Sequence, residues 1–492
     1  MSVPVLAERL RPLNAAPPCP ERAYVLYWMV AYRRLGWNLA LQRAVELANQ
    51  FQVPLVILET MRVGHHLMND RMHRFVLDGM ADQAAALAGR PGVVYRAHVE
   101  LRPGEQDGLL ECLAQDACAV VTDDWPGFFV PALQAAAAQR LPVRVEAVDG
   151  NGLMPLSASP SPFPTAHGFR RHLHKTLPGL LPRDRFPSAA PLEALRATVR
   201  PDLQARLEAW PEPSPALLEG TPGWAEAIAI DHTVGPVPGV RGGEQAGRLL
   251  LRRFVSERLA RYQEDRNEPG LAGSSGLSPY LHFGHIGAHE AIAEVWQSEA
   301  WTPERLAPKP TGAKAGWWGL SEPAEAFLDE LITWREVGLN VAHTLPSHDR
   351  YESLPAWARA TLAKHAGDPR PHCYNRARLE AAATHDPIWN AAQRQLLREG
   401  RIHNYMRMLW GKKVLEWSAS PQEALETLLE LNDRWALDGR DPNSVSGVFW
   451  CLGRFDRAWG PERPIFGTIR YMSSDNTARK LDLKPYLARY GR

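Results

Sequence analysis

Short apolar runs alternate with amphipathic stretches over the first third of the chain. The predicted strands cover 24–29, 55–59, 93–95, 119–123 and 143–148, and the predicted helices between them cover 39–52 and 72–87. Nearly continuous apolar strands that alternate with helices are typical of a parallel sheet covered on both faces. The pattern therefore predicts a doubly wound, Rossmann-like α/β domain over 20–150.

The ends of these strands carry the polar residues that bear on ligand binding. No glycine-rich phosphate loop follows the first strand, where Arg33-Arg34-Leu35-Gly36-Trp37 stands instead. Asp123 and Asp124 end a later strand, at the edge where doubly wound sheets bind ligands. These carboxylates are interpreted either as part of a ligand crevice or as ordinary polar residues at a strand end.

The pattern changes twice after the α/β region. Residues 155–238 hold 15 of the 42 prolines, which favours extended, stiff chain over core elements. From 243 onward the apolar positions follow helical periodicity. We expect a Pro-rich interdomain linker over 151–240 and an all-helical domain over 241–492.

Composition narrows the class of protein. A chain of 492 residues with 45% hydrophobic and 23% charged residues predicts a soluble protein of two domains, with a monomer as the default. The formal net charge of +1 requires any nucleic-acid surface to be a local patch. Five cysteines without paired spacing predict neither disulfides nor a metal site. No membrane span or signal peptide is evident, so we expect a cytoplasmic or nucleoid-associated protein (nuclear in a eukaryote) that is not secreted.

Tryptophan is concentrated in the predicted helical domain, with 12 of the 17 from Trp296 onward. Trp410 and Trp417 are seven residues apart, so a helix puts both indoles on one face about 10 Å apart along the axis. Such neighbours suit electron transfer and equally suit core packing. The spacing alone leaves both interpretations open.

Three further patterns indicate candidate chemistry. A helix is predicted to start at Ser278-Pro279, directly after a run of small residues. This arrangement suits either an anion site or a plain capped loop. Glu330 and Trp334 are four residues apart and share a helix face, either as surface groups or as a recognition pair. Arg407 and Asp438 lie beside apolar residues, and burial would require them to pair.

Several long motifs occur in one order along the C-terminal half. They are Asp386-Pro387-x-Trp389-Asn390-Ala391, Tyr405-Met406-Arg407-Met408-x-Trp410-x-Lys412-Lys413-x-Leu415-Glu416-Trp417, Leu437-Asp438-Gly439-Arg440-Asp441-Pro442-Asn443 and Asp456-Arg457-Ala458-Trp459. From about Leu271 to the C-terminus the chain resembles the flavin domain of class II cyclobutane pyrimidine dimer photolyases, in the photolyase/cryptochrome family. Ordered long motifs are far more specific than one short pattern.

The resemblance implies light-driven repair of pyrimidine dimers in DNA by FAD in its reduced form. It also implies an N-terminal antenna domain for a second pigment, a deazaflavin or a folate, whose identity stays open because Val30-Ala31-Tyr32-Arg33-Arg34 departs from the family's Arg-Asp-Gln-Arg. The cofactor-binding residues it implies are Tyr262, Ser274, Ser275, Gly276, Leu277, Ser278, Arg407, Asn432, Asp438 and Gly439, with Asn432 near flavin N5.

The resemblance also implies which residues would bind the dimer and which would carry electrons to the flavin. Glu330 would bind the damaged bases, and Trp334 and Trp450 would form two walls of a pocket just wide enough for a flipped-out dimer. Arg470 and the Lys and Arg residues around it would meet DNA phosphates or fill the gap left by the dimer. The implied electron relay consists of Trp389, Trp410 and Trp417, with Trp410 nearest the flavin.

Three other functions are alternatives to dimer repair. A cryptochrome-like blue-light receptor would use the same flavin and tryptophans without repair. A (6-4) photolyase would need a second histidine after His403, where Asn404 stands. A flavin or nucleic-acid binding module without turnover is the third. The chain also lacks the family's histidine between Trp450 and Asp456, and it differs from the family at 340–343.

Overall fold

The computed structural model describes residues 4–182, 185–199, 203, 207 and 212–492. The chain forms two compact units. The α/β unit comprises 1–159, 176–253 and 277–303, and the helical unit comprises 160–175, 254–276 and 304–492. The predicted segments 20–150, 151–240 and 241–492 stay a prediction about domains. The compact units divide the chain differently, since 241–253 and 277–303 pack within the α/β unit.

A six-stranded sheet forms the centre of the α/β unit. Its strands are β1 Leu10–Pro12, β2 Tyr24–Met29, β3 Leu55–Met61, β4 Val93–Val99, β5 Ala117–Asp123 and β6 Val145–Val148. They lie in the order β1-β6-β5-β2-β3-β4, and all neighbours are parallel except β1 with β6. Every residue of β2 and β5 is buried, as their apolar sequences predict. The predicted fold class is confirmed.

The sequence pattern misses β1. This strand has only three residues, ends in a proline and pairs antiparallel with β6 through Leu10 and Val148. A proline is tolerated there because β1 is an edge strand. So short a run has no periodicity to detect.

Helices make up much of the rest of the α/β unit. They are Leu39–Phe51, Asp70–Leu87, Leu109–Gln115, Val130–Arg140, Pro215–Glu219, Glu244–Arg253, Ser278–His282 and Ala288–Ser298. Asn38 and Asn69 start the first two, and their side chains accept hydrogen bonds from the backbone N–H groups of Leu41 and Met72. Both helices begin within two residues of their predicted positions.

The helical unit is built on helices Ala166–Thr176, Tyr262–Asp265, Glu322–Leu328, Arg335–Thr344, Ala356–Lys364, Arg376–Glu380, Pro387–Glu399, Asn404–Trp417, Pro421–Trp435, Pro442–Cys451, Ser474–Lys480 and Lys484–Tyr490. Two wider π-helical turns interrupt this pattern at Phe254–Arg258 and Asp329–Trp334. The second π-turn carries both Glu330 and Trp334, and such turns often mark functional sites. Helix-period patterns cannot distinguish it from an ordinary α-turn.

Among the described residues, no helix combines the length and apolarity needed to cross a membrane.

Candidate active site

Three fully buried indoles form a continuous chain in the helical unit. The ring centroids of Trp389 and Trp410 are 6.5 Å apart with planes 4° apart, and those of Trp389 and Trp417 are 5.5 Å apart at 69°. Trp389 therefore lies between the other two. The rings therefore contact one another in the order Trp410, Trp389, Trp417, which differs from their order in the sequence.

Hydrogen bonds lock the first two indoles in place. Trp389 donates its Nε1–H to the backbone carbonyl of Trp410 at 3.0 Å, and Trp410 donates its own to Oε1 of Gln393 at 2.9 Å. Asp386 caps the helix that carries Trp389 by accepting from the backbone N–H groups of Ile388 and Trp389. The arrangement serves both core packing and electron transfer, because the rings are buried, in contact and rigid.

The predicted Arg407–Asp438 pair forms. Nη2 of Arg407 lies 3.1 Å from Oδ1 and 3.3 Å from Oδ2 of Asp438, and both side chains are mostly buried. Arg407 lies three residues before Trp410 on helix Asn404–Trp417, so the two are neighbours on its surface. Arg407 therefore places the ion pair within one helical turn of Trp410.

Asn432 begins the turn 432–439, which also carries Asp438. Its amide donates to Oδ1 of Asp433 and to the hydroxyl of Ser444, both at 2.9 Å. A Cβ on Gly439 would lie 2.8 Å from the carbonyl oxygen of Asn432, so the turn has no room for a side chain there. The requirement for glycine at 439 is therefore explained by the turn itself.

The residues predicted to hold FAD phosphates are Tyr262 and the stretch 274–278. Tyr262, Ser274, Ser275 and Gly276 belong to the helical unit, whereas Leu277 and Ser278 belong to the α/β unit, where Ser278 begins a five-residue helix. Tyr262 packs its ring edge-on against Phe254 and Phe327.

A cation that sequence reasoning missed lies beside the serine stretch. Arg258 donates Nη1–H to the carbonyls of Ala272 and Ser274, at 3.2 and 3.1 Å. Arg258 lies in the π-turn Phe254–Arg258, where helix-period reasoning gives no signal. A guanidinium at this stretch adds positive charge where an anionic group is expected to bind.

Glu330 forms an ion pair that the sequence did not indicate. It accepts a hydrogen bond from Nη2 of Arg266, whose guanidinium also lies over the Tyr262 ring at 5.3 Å. Burial raises the pKa of the Glu330 carboxyl, and the charge of Arg266 acts in the opposite direction. Arg266 therefore favours the carboxylate form of Glu330, which is a hydrogen-bond acceptor.

Trp334 and Trp450 come together as a stacked pair rather than as two opposed walls. Their ring centroids are 4.5 Å apart with planes 18° apart, so no base fits between them. The expectation of a slot between opposed walls is wrong for the rings as they lie here. The helices Arg335–Thr344 and Pro442–Cys451 approach closely because Gly338 has no side chain. A Cβ at this position would lie 2.8 Å from Cα of Asn443. Both indoles are half-buried and can still present a face to a ligand.

Arg470 lies in a cleft of about 490 Å³ in the helical unit. Its guanidinium covers the ring of Trp459 at 5.5 Å, and that of Arg463 covers Tyr471 at 4.8 Å. Arg479 also lines the cleft. Cations interleaved with aromatic rings suit a nucleic-acid strand, since they meet phosphates and stack on bases. The resemblance implied Arg470 and the basic residues around it, but the irregular stretch 456–473 has no periodicity that would show which of them share one cleft.

The residues of the helical unit fit a flavin by the chemistry of their donors. Arg407 and Asp438 supply a cation and a carboxylate, and Asn432 supplies a neutral amide. A flavin ring edge carries carbonyl oxygens and ring nitrogens that match such groups. The serine stretch with Arg258 suits the anionic end of the cofactor.

The crevice at the switch point of the sheet, between β2 and β5, is filled by the chain itself. The Tyr32 hydroxyl donates to the carbonyl of Asp124 and accepts from the N–H of Gly150, both at 3.0 Å, and the ring is buried. Asp123 accepts three hydrogen bonds from the backbone of residues 30–32, so it is not directed at a ligand. Tyr32 and the backbone of residues 30–32 therefore occupy a place where doubly wound sheets commonly bind ligands.

No group of three or more His, Cys, Asp and Glu side chains in the described ranges is arranged to hold a metal ion.

Comparison with known proteins gives consistent relatives. No protein-family model matches the chain. It is 33% identical to a protein of Methanothermobacter thermautotrophicus named deoxyribodipyrimidine photo-lyase, over 98% of each chain. Proteins of the same name from Oryza sativa subsp. japonica and Arabidopsis thaliana are 33% and 30% identical over 94% of this chain, and the matches cover 87% and 88% of those proteins.

Solved structures with similar folds include a photolyase and a cryptochrome. A bacterial class III photolyase from Agrobacterium tumefaciens matches with a TM-score of 0.67 at 19% identity, covering 96% of this chain and 86% of that one. A Synechocystis cryptochrome matches with a TM-score of 0.65 at 17% identity, covering 95% and 88%. At these identities the likeness concerns the fold alone.

Proposed function

The chain belongs to the photolyase/cryptochrome family, and from this membership we propose that it reverses cyclobutane pyrimidine dimers in DNA with the energy of light, as class II photolyases do. Reduced FAD, when bound, supplies the electron that light drives into the dimer and takes it back after the ring opens. The protein positions the flavin and the dimer, and it keeps water away.

The aromatic surface of Trp334 and Trp450 carries this proposal. A flipped-out pair of pyrimidines stacks on a flat aromatic surface, as bases do in other nucleic-acid enzymes. Glu330 lies one helical turn from Trp334 on the same π-turn. As a carboxylate it accepts hydrogen bonds from the N–H groups of the flipped bases.

Contact with the DNA strand is assigned to the arginine cleft. Arg463, Arg470 and Arg479 would neutralise phosphates next to the flipped dimer, while Trp459 and Tyr471 offer faces for stacking. The chain's overall charge of +1 is compatible with such a local patch. Affinity for DNA should therefore fall steeply with salt concentration.

The flavin is assigned to Tyr262, the stretch 274–278, Arg407, Asn432, Asp438 and Gly439. Arg407 would stabilise the negative charge of a reduced flavin, and Asp438 would hold the guanidinium in place. The chain Trp410–Trp389–Trp417 would refill an oxidised flavin with electrons from outside the site.

The test is repair of a defined thymine-dimer oligonucleotide by pre-reduced, flavin-loaded protein under blue light and in the dark. A (6-4) lesion in the same sequence context is the substrate control, and Trp450→Ala is the site control. We expect light-dependent reversal of the cyclobutane lesion alone, and a weaker reaction with the variant. A flavin-loaded, reducible protein that repairs neither lesion would favour a cryptochrome-like receptor instead.

A further inference from the structure

The tryptophan chain ends against a tyrosine that the site described so far does not use. Tyr374 meets Trp417 edge to face, with ring centroids 5.5 Å apart and planes at 90°. Its backbone N–H donates to the carbonyl of Trp417 at 3.0 Å, which fixes the two residues relative to each other. Tyr374 is buried, with 7% of its surface exposed. The contacts between aromatic rings therefore run on from Trp410 to Tyr374.

The hydroxyl of Tyr374 is held by a single residue, His385. Oη lies 2.7 Å from Nδ1 of His385 and accepts a hydrogen bond from the backbone N–H of the same residue at 3.1 Å. Because the backbone N–H can only donate, Nδ1 is the atom of His385 that can accept the phenolic proton. It does so in the neutral tautomer that carries its ring proton on Nε2.

His385 suits a proton acceptor in two further respects. Desolvation, and after it the nearby His372, lower the pKa of the His385 imidazole below its ordinary value, so the ring is neutral at pH 7. The residue is exposed, whereas Tyr374 is buried. A proton that His385 takes from the phenol can therefore pass on to solvent.

From this geometry we propose that Tyr374 is the terminal electron donor of the tryptophan chain and that His385 takes its proton. The inference rests on the proposed function, since the oxidant that starts the chain is a light-excited oxidised flavin. The radical cation of Trp417 takes one electron from Tyr374. The O–H bond of Tyr374 breaks, its proton forms an N–H bond at Nδ1 of His385, and a neutral tyrosyl radical remains beside an imidazolium.

The charges around the two rings favour this direction. Nζ of Lys413 lies 5.5 Å from the centre of the Trp417 ring and disfavours a positive charge on that indole. The ion pair of Lys413 with Glu416 at 2.8 Å offsets part of that effect. Arg378 lies over Tyr374 at 5.0 Å, but a tyrosyl radical that has lost its proton is neutral and is not repelled.

A second buried tyrosine shows what the pair with histidine adds. The hydroxyl of Tyr486 donates to Oε1 of Gln395 at 2.8 Å. A side-chain amide accepts a hydrogen bond but is no base at neutral pH. Tyr486 therefore lacks a partner that takes its proton, and it serves as the matched control.

The experiment is flash excitation of the flavin-loaded, oxidised protein, followed by transient absorption and electron paramagnetic resonance. We expect the narrow absorption band and the hyperfine pattern of a neutral tyrosyl radical in the wild-type protein and in the control variant Tyr486→Phe. In Tyr374→Phe and in His385→Gln the signal should stop at a tryptophan radical, which recombines faster. Formation of the tyrosyl radical should also slow in heavy water, because a proton moves with the electron.

Tryptophan radicals without a tyrosyl radical in the wild-type protein would overturn this inference and leave the proposed relay standing. An undiminished tyrosyl yield in His385→Gln would overturn the role of His385. Absence of any aromatic radical in a photoreducible protein would overturn the relay and this inference together. Repair by pre-reduced protein needs no relay, so the proposed repair activity is tested independently of all three outcomes.

Discussion

Trp389 donates its indole N–H to the backbone carbonyl of Trp410 across 3.0 Å, and the two ring planes differ by only 4°. The hydrogen bond joins the helix Pro387–Glu399 to the helix Asn404–Trp417 at the point where their indoles meet. Trp417 reaches Trp410 through Trp389, which gives the middle ring a part in both stability and electron transfer.

Trp389→Phe should interrupt the relay while leaving the flavin in place. We expect stable photoreduction of the oxidised flavin to be lost and the free energy of unfolding to fall by about 1–3 kcal/mol, since a buried hydrogen bond and part of a buried ring are removed. Absorption under steady blue light measures the first effect, and chemical denaturation the second. Trp357→Phe, in the same unit, is the control. Photoreduction at the wild-type rate in Trp389→Phe would contradict the relay.

Trp450→Ala should weaken binding of dimer-containing DNA more than binding of undamaged DNA. Loss of a base-stacking ring costs about 1–3 kcal/mol per base, and Trp334 would lose its stacked neighbour as well. Fluorescence anisotropy with matched damaged and undamaged oligonucleotides measures both affinities. Trp450→Phe keeps an aromatic face and should recover most of the difference. An equal loss for both oligonucleotides would mean that the ring acts on general DNA binding instead.

Much of the fold was predictable because local patterns determine it. Strands β2 and β5 are buried along their whole length, so their apolar runs are visible in the sequence. The site was predictable only in part. Nothing local indicates that Trp389 separates Trp410 from Trp417, because that order arises where two helices pack.

Ion pairs and irregular segments account for most of what the sequence left out. The partner of Glu330 is Arg266, 64 positions earlier in the chain. Arg463 and Arg470 share a cleft through an irregular stretch that has no period. The stacking of Trp334 on Trp450 depends on the close approach of two helices at Gly338, and no local sequence pattern indicates that these two helices pack there.

Glu330→Gln should reduce repair without preventing flavin binding. The variant keeps the shape of the side chain but removes the negative charge that meets base N–H groups, and the guanidinium of Arg266 is left without its counter-charge. We expect a loss of roughly a hundredfold in repair rate, the low end of what removal of one charge-stabilising group costs in other enzymes. Repair under saturating light with pre-reduced protein measures it, and Glu426→Gln on an exposed helix face is the control. Unchanged repair in Glu330→Gln would remove this residue from the site.

Lys412 should make stability depend on pH in the alkaline range. Its Nζ is fully buried and donates to the carbonyl of Cys451 at 2.6 Å, and desolvation lowers its pKa to about 8 from an ordinary 10.5. Between these values the unfolded chain holds a proton that the folded chain has lost, so the free energy of unfolding rises with pH. A methionine at 412 has no such proton.

Urea denaturation of the wild-type protein and of Lys412→Met at pH 8 and at pH 10 separates the effect of Lys412 from that of other titrating groups. We expect the stability of the wild-type protein relative to the variant to increase by roughly 2 kcal/mol from pH 8 to pH 10. A relative stability that stays constant or falls over this range would show that the lysine keeps its proton in the folded protein.

Tyr32 should keep a second pigment out of the crevice between β2 and β5. Its ring occupies that space, and its hydroxyl is held by Asp124 and Gly150. A Cβ on Gly150 would already lie 3.0 Å from the ring, so the packing there is tight. We expect titration of the wild-type protein with a deazaflavin to give no energy transfer to the bound flavin. Tyr32→Ala should open the crevice and allow binding, whereas Tyr32→Phe, which keeps the ring, should behave as the wild type. Stoichiometric binding by the wild-type protein that Tyr32→Ala abolishes would show that Tyr32 lines an open site rather than filling it.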